Sequence, residues 1–266
     1  FRKNSTMISG VPTSARGFHV KQTSDLGFVV CGVIGDDIYL IKTDAMGVRD
    51  WSQIIDLGVG GQDAAFTVQQ TSDGGYILAG VTSINPNDKK AFLLKVNSNG
   101  TLGWAKTYDN PGIETAAGIA FFDTRFEDEV VQQTSDGGYV LLGWVKDPVT
   151  LEETDILFIK TNNLGDITWK KSFNIPGLES VGTSVQQTSD GGYILTGILG
   201  GFSLNSDIIL IKTDANGSVI DKNTFDESLG SSVLETSKGN YVVGGVHDVP
   251  LTPNTACAYL IKTDEF

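Results

Sequence analysis

A sequence block that recurs five times along the chain constrains the fold more than any other feature. Three copies read QQTSDGGYILAG (69–80), QQTSDGGYVLLG (132–143) and QQTSDGGYILTG (186–197). Two weaker copies read KQTSDLGFVVCG (21–32) and LETSKGNYVVGG (234–245). A second block follows each copy, for example YLIKTDAMG from residue 39 and ILIKTDANG from residue 209. Self-similarity at such a period is typical of repeat architectures, in which each unit is one supersecondary structure.

Each repeat predicts four short antiparallel strands, A to D. The V-Q-Q-T segment ends strand A, and S-D-G-G is a hairpin turn in which glycine supplies a positive φ. The apolar segments Y-I-L-A-G and D-I-I-L-I-K-T predict strands B and C, and strand D carries Trp51, Trp104 or Trp169. Four strands per unit, repeated radially, form a blade of a β-propeller. We therefore predict one all-β domain over residues 1–266, a five-bladed β-propeller.

The two ends of the chain fall inside one repeat. The repeated threonines are spaced by 48, 63, 54 and 48 residues, and the two terminal pieces together make one further repeat. The last repeat lacks strand D, whereas residues 1–6 match the strand D pattern with Phe1 at the tryptophan position. We predict that this N-terminal strand completes the last blade and closes the ring. A chain that begins with Phe1 rather than Met is interpreted as a processed or trimmed product.

The Q-Q-T-S-D-G-G-Y and I-K-T-D-x-x-G blocks resemble a large set of secreted bacterial and archaeal β-propeller repeat proteins. The D-x-x-G-x-x-x-W hairpin also looks like a blade of the quinoprotein-type propellers. The resemblance covers nearly the whole chain, and it implies an extracellular or cell-surface module. Asp221 stands where other repeats have Trp, and S-K-G-N replaces S-D-G-G in the fifth repeat. These departures argue against one equivalent ligand site per blade.

Connection lengths separate scaffold from candidate functional surface. The A–B turns have one length in all five repeats, as do the four C–D turns that can be measured, whereas the B–C and D–A connections vary. Variable loops on a rigid scaffold are where binding residues concentrate, so we predict the functional site on the face of these variable loops. The strand A glutamine pairs are interpreted as inter-blade hydrogen-bonding groups, with ligand donors around a central channel as the alternative. The five strand C lysines are interpreted as weak surface partners of turn aspartates.

Residues that break the repeat are the candidate binding residues. Phe121, Phe122 and Phe126 lie in a long insertion before the third blade. They form a lid, a partner-binding patch or a packed hydrophobic cluster. Trp144 replaces Val or Ile at the end of a strand B, where it either stacks on a sugar or fills a core position. His247 and Asp248 lie in a Pro-rich loop, where they form either a polar binding pair or part of a solvated segment. These residues are Phe121, Phe122, Phe126, Trp144, His247 and Asp248.

Motifs for catalysis or metal binding are not recognisable in the sequence. C-x-x-C, H-E-x-x-H and a G-x-G-x-x-G after a strand are absent, and the two histidines lack a supporting triad motif. Two of the acids that precede strand A could hydrolyse a glycosidic bond; these acids are Asp63, Glu129, Glu179 and Glu227. The D-A-N-G turn lacks the remaining ligands of a calcium loop. We therefore expect no enzyme, no metal site and no cofactor.

Charge and sequence features also limit the partners. A net charge of −13 disfavours nucleic acid and anionic membrane surfaces. No apolar run is long enough for a membrane-spanning helix, so membrane insertion is not expected. Asn4, Asn99 and Asn216 lie in N-glycosylation sequons. Cys31 and Cys257 lie in blades that neighbour each other in the predicted ring, either as a disulfide or as two buried thiols.

Three functions are compatible with these features. The leading hypothesis is a non-enzymatic extracellular or cell-surface module with a structural or interaction role, which binds a protein partner or associates with itself. In one version the terminal strand inserts into the next molecule and builds a filament. The alternative is a glycan-binding, lectin-like propeller. A glycoside hydrolase is the third hypothesis.

Overall fold

The computed structural model describes residues 15–58, 61–83, 89–108, 115–116, 130–146, 154–173, 175–200, 206–226, 228–248 and 256–263. In these ranges the chain forms twenty β-strands and no helix. The strands form five antiparallel sheets that follow one another along the chain. None of these residues belongs to a helix able to cross a membrane.

The strands are numbered in chain order. Sheet 1 contains β1 (Ala15–Gln22), β2 (Phe28–Ile34), β3 (Asp37–Thr43) and β4 (Arg49–Ile55). Sheet 2 contains β5 (Gln62–Gln70), β6 (Tyr76–Ser83), β7 (Lys89–Val96) and β8 (Leu102–Tyr108). Sheet 3 contains β9 (Thr115–Ala116), β10 (Val131–Gln133), β11 (Tyr139–Lys146), β12 (Thr154–Thr161) and β13 (Ile167–Phe173). Sheet 4 contains β14 (Ser180–Gln187), β15 (Tyr193–Leu199), β16 (Asp207–Thr213) and β17 (Val219–Phe225). Sheet 5 contains β18 (Ser228–Glu235), β19 (Tyr241–Asp248) and β20 (Ala256–Lys262).

The strand order within each sheet confirms the four-strand reading of the repeat for sheets 1, 2 and 4. Sheet 3 differs because its first strand is interrupted. Both β9 and β10 pair with β11, so Thr115 and Ala116 continue the line of β10. The insertion predicted to precede this blade therefore falls within its strand A. The three phenylalanines of the insertion lie outside the described residues.

The hydrophobic core lies between the sheets rather than within one of them. Four clusters of buried residues join sheets 1 and 2, 2 and 3, 3 and 4, and 4 and 5. Buried apolar side chains on both faces explain why strands B and C read as continuous apolar runs. No cluster among the described residues joins sheet 5 to sheet 1. Residues 1–6, which were predicted to close the ring, lie outside the described residues, so the closure stays a prediction.

The repeated tryptophan of strand D is an inter-sheet packing residue. Trp104 in sheet 2 packs edge-on against Tyr139 of sheet 3, with ring centroids 5.9 Å apart. Trp51 with Tyr76 and Trp169 with Tyr193 repeat this geometry at 5.7 and 5.9 Å. The strand D tryptophan and the tyrosine after S-D-G-G are therefore two halves of one contact, which explains why the repeat carries both.

The strand C lysine is buried beneath the A–B turn. Lys160 is 5% exposed, and its Nζ lies 2.8 Å from Asp136 Oδ2 while also donating to the Thr161 carbonyl. A side chain at Gly138 would place Cβ 2.5 Å from that Nζ, so the second glycine of the turn makes room for the lysine. The same pairs form elsewhere: Lys42 with Asp25, Lys95 with Asp73, and Lys212 with Asp190. The pairing was predicted correctly, but its surface location was wrong.

The fifth lysine does not share this arrangement. Lys262 in β20 is exposed, and Lys238 stands at the turn position that holds aspartate in the other repeats. A lysine cannot accept a hydrogen bond from another lysine, so the expectation of five pairs was wrong for sheet 5.

Candidate functional site

One cavity of about 240 Å³ is lined by the first strands of all five sheets. Four valines contribute apolar surface to the cavity, and three glutamines contribute amides. The polar lining side chains include His19, Lys21, Thr67, Gln69, Gln132 and Gln186. His19 is nearly buried, and its Nδ1 accepts the backbone N–H of Val68 at 3.2 Å.

The glutamine pairs of strand A link neighbouring sheets through hydrogen bonds. The Oε1 atom of the first glutamine of each pair accepts a backbone N–H from the next sheet. Gln69 accepts from Gln133, Gln132 from Gln187, and Gln186 from Glu235. The side-chain oxygen of the second residue accepts a backbone N–H from the preceding sheet. Gln70 accepts from Ser24, Gln133 from Ser72, Gln187 from Ser135, and Glu235 from Ser189. The interpretation of the glutamines as hydrogen-bonding links between neighbouring units is confirmed at the level of the sheets.

The glutamines that line the cavity have donors left over. Gln69, Gln132 and Gln186 use Oε1 in the inter-sheet bond, and their NH₂ groups donate to no acceptor in the described part of the chain. Each NH₂ group offers two N–H donors. The inter-sheet bond fixes each amide, so these donors are held in place rather than free to turn. The repeated glutamines therefore link the sheets and also line the cavity, so both interpretations of these residues stay open.

Among the sequence-predicted binding residues whose side chains the structure describes, Trp144 does not line this cavity. Trp144 is half-buried in β11 and pairs with Ile156 and with Ala116 of β9. Its counterparts Val81 and Ile198 are fully buried core residues. His247 and Asp248 belong to β19, opposite Cys257 and Ala256, so their placement in a loop was wrong.

The remaining predicted modification sites are partly described. Asn99 and Asn216 are exposed in the C–D turns of sheets 2 and 4, as expected, whereas Asn4 lies outside the described residues. Cys31 is a buried free thiol, which excludes its disulfide with Cys257 in this structure. Burial raises the pKa of the Cys31 thiol far above its ordinary value.

A second feature is a cluster of three carboxylates at the junction of sheets 1 and 2. Asp37 begins β3, Asp56 follows β4, and Asp63 lies in β5; one carboxylate oxygen of each lies within 4.8 Å of the others. Two unit charges at 4.8 Å repel by about 3.5 kcal/mol at an effective dielectric constant of about 20. The pKa of Asp37 is raised by burial and by the neighbouring charges of Asp56, Asp63 and Asp36.

The acids proposed for glycoside hydrolysis do not form a site in the described residues. Asp63 is only 1% exposed, and Oδ2 accepts the Leu57 N–H at 2.7 Å. Glu179 is exposed and is not a member of the carboxylate cluster. Glu129 and Glu227 lie outside the description.

No protein-family model and no curated protein matches this sequence. A crystal structure of a protein of unknown function from Dyadobacter fermentans DSM 18053 is similar at 12% identity and a TM-score of 0.53, over 91% of this chain and 74% of that chain. A thermostable family-43 glycoside hydrolase is similar at 12% identity and a TM-score of 0.46, over 95% and 90% of the chains. An α-L-arabinofuranosidase from Clostridium thermocellum ATCC 27405 has 10% identity and a TM-score of 0.43, over 94% and 90%. The fold of this chain is all-β, and its consecutive antiparallel sheets are β-propeller-like.

The prediction that the chain is not an enzyme is contradicted by this comparison. Glycoside hydrolases are among the solved structures that the chain resembles, at 10–13% identity. Likeness at this identity is one of fold and assigns neither reaction nor substrate, because one fold hosts many functions. The lack of a local motif was a poor reason to exclude an enzyme. Carboxylates that folding brings together need no fixed spacing in the sequence.

Proposed function

We propose that this protein binds a small neutral glycan, about one sugar ring in size, in the cavity lined by the first strands of its five sheets. The observation that carries the proposal is the set of amide donors on Gln69, Gln132 and Gln186, which are fixed by inter-sheet bonds and are not used within the described protein. The cavity of about 240 Å³ lies just below the roughly 300–1,000 Å³ of typical small-molecule pockets.

The chemistry of the lining favours a sugar over other small ligands. Hydroxyl and ring oxygens accept hydrogen bonds from amide N–H groups, whereas an apolar ligand would leave these donors unsatisfied. Val68, Val131, Val185 and Val233 supply apolar contacts for the C–H faces of a sugar ring. A net charge of −13 disfavours anionic sugars.

The cavity also supports the proposal that the five sheets are five blades of one ring. Each sheet contributes its first strand to the lining, as radially arranged blades would. Closure by the N-terminal strand predicts that deletion of residues 1–6 lowers the melting temperature. A location outside the cell, which the sequence resemblance implies, completes the proposal.

The experiment is a panel of neutral mono- and disaccharides, measured by calorimetric titration against the full chain and two variants. Gln132→Glu keeps an oxygen to accept the Gln187 N–H but removes the donors, as Glu235 does when it accepts the Ser189 N–H in sheet 5. Gln133→Glu is the matched control, because Gln133 makes the same kind of inter-sheet bond and does not line the cavity.

We expect saturable binding that weakens about two- to tenfold in Gln132→Glu, since one lost hydrogen bond is worth about 0.5–1.5 kcal/mol. Gln133→Glu should bind like the wild type. Absence of binding across the panel, or equal loss in both variants, would refute the cavity as the site. Free sugar released from the disaccharides would identify a hydrolase instead of a binding protein.

A further inference from the structure

We propose that the carboxylates of Asp37, Asp56 and Asp63 bind a divalent calcium ion at the junction of sheets 1 and 2. Their oxygens converge within 4.8 Å of one another. Hard cations with oxygen ligands are held by such carboxylate groups, and calcium takes 6–8 oxygens, the remainder of which water can provide. This site is separate from the glycan cavity, whose lining contains none of the three aspartates.

The second observation is an unsatisfied oxygen on the buried member of the cluster. Asp63 is 1% exposed, and its Oδ1 is a buried atom without a hydrogen-bond partner in the described structure. A buried carboxylate is costly unless it is paired or coordinates a metal. No lysine or arginine among the described residues forms an ion pair with Asp37, Asp56 or Asp63. A cation at the cluster supplies the missing partner.

The other sheets show that the fold does not need a carboxylate at this position. Strand pairing places Asp63 opposite Thr82, and the equivalent positions in the other sheets are Ala15, Thr115, Ser180 and Ser228. Ser180 is fully buried; its Oγ accepts the Ile156 N–H at 3.1 Å and donates to the Thr154 carbonyl at 3.2 Å. A neutral hydroxyl therefore fills this inter-sheet position with its hydrogen bonds satisfied. The acid at position 63 is an addition, and cation binding explains it.

The surroundings of the cluster favour a cation still further. Asp36 adjoins Asp37, and its backbone carbonyl accepts the Asp63 N–H at 2.7 Å, which ties the two segments together. Asp36 adds a fourth negative charge near the cluster, and this charge contributes to the raised pKa of Asp37. The repulsion among these groups is relieved by a divalent ion, which adds a charge of opposite sign without burying another side chain.

The test uses the full chain, freed of metal with a chelator and titrated with calcium chloride. Melting temperature and calorimetric heat are the two readouts. We expect the melting temperature to rise by about 5–10 °C when calcium reaches about 100-fold its dissociation constant. Asp63→Ser, which installs the residue of sheet 4, should abolish the shift. In calcium-free buffer it should melt at or above the wild-type temperature, because an unpaired buried charge has been removed.

Two further variants keep the test decisive. Asp56→Asn alters an exposed member of the cluster and should weaken calcium binding about tenfold even if Asp63→Ser fails to fold. Glu179→Gln removes one charge from an exposed residue beside Ser180 and should leave the response unchanged. The proposal is wrong if about 10 mM calcium, above the usual range of extracellular modules, gives neither heat nor a melting shift. It is also wrong if the cluster variants respond like Glu179→Gln, or if magnesium binds and calcium does not.

Discussion

Gly165→Ala tests whether the tryptophan of strand D holds neighbouring sheets together. Gly165 lies in the C–D turn of sheet 3 with φ of +79°, and an added Cβ would lie 2.6 Å from Trp104 Cζ3 of sheet 2. Gly137 has φ of +81° with nothing within 4 Å of an added Cβ, so Gly137→Ala is the matched control for backbone strain alone. The two variants differ in the inter-sheet clash.

The expected costs follow from this difference. A left-handed alanine costs about 1–2 kcal/mol, which applies to both variants. Overpacking adds about 1–3 kcal/mol in Gly165→Ala, so this variant should lose about 2–5 kcal/mol in total. Urea unfolding followed by far-ultraviolet circular dichroism measures both losses, and the melting temperature should change by about 2–4 °C per kcal/mol.

A double variant separates the clash from any other effect of the alanine. In a Trp104→Ala background the indole is gone and only the contact with Lys106 Cγ at 2.9 Å remains, so Gly165→Ala should cost less than in the wild type and approach the cost of Gly137→Ala. The corresponding coupling energy is about 1–3 kcal/mol, within the range measured for residues in contact. If Gly165→Ala is no worse than Gly137→Ala in the wild-type background, Trp104 is not tightly packed against the turn of sheet 3.

Three further predictions concern charge and thiol chemistry. Burial raises the pKa of Asp136, but hydrogen bonds from Lys160, Thr134 and the Gly138 amide lower it further than burial raises it. The pKa is therefore about 2, below its ordinary 3.8. The stability from this ionised group is present above pH 3.8 and is lost as the pH falls towards 2; Asp136→Asn should flatten that part of the acid unfolding curve. Lys160→Met should destabilise the fold by about 1–3 kcal/mol in urea unfolding, whereas the exposed Lys262→Met should change it by less than about 0.5 kcal/mol. In a Cys257→Ser background, Cys31 should react with a thiol reagent only after unfolding, since it is buried; rapid native reaction would contradict the structure.

Much of the strand pattern could be predicted from the sequence because its signals are local and repeated. Each S-D-G-G turn lies between the two strands that it joins, and each apolar run marks a strand within a few residues. Because the glutamine pairs recur at the same position of the repeat, the sequence also indicated that they link neighbouring units. The candidate cavity was harder to find, because its donors belong to repeated residues whose inter-sheet role was sufficient to explain them.

The errors arose where contacts between sheets decide the environment of a side chain. The strand C lysines were placed at the surface, but the A–B turn covers them and Lys160 is 5% exposed. The long insertion was placed before a blade, but strand pairing puts Thr115 and Ala116 on the line of strand A ahead of it. In both cases the sequence spacing was correct and the spatial position was not, because spacing does not specify which element covers a residue.

The sequence by itself determined the number of repeats, the order of the strands and the residues that form their turns, because each depends on contacts between neighbours in the chain. The tertiary structure alone decided which side chains meet across sheets. Asp37, Asp56 and Asp63 have no motif spacing, and they meet because strand register and the packing of sheet 2 on sheet 1 bring three strand ends together. Burial then leaves one oxygen of Asp63, Oδ1, without a hydrogen-bond partner, and that environment does not exist until the sheets have packed.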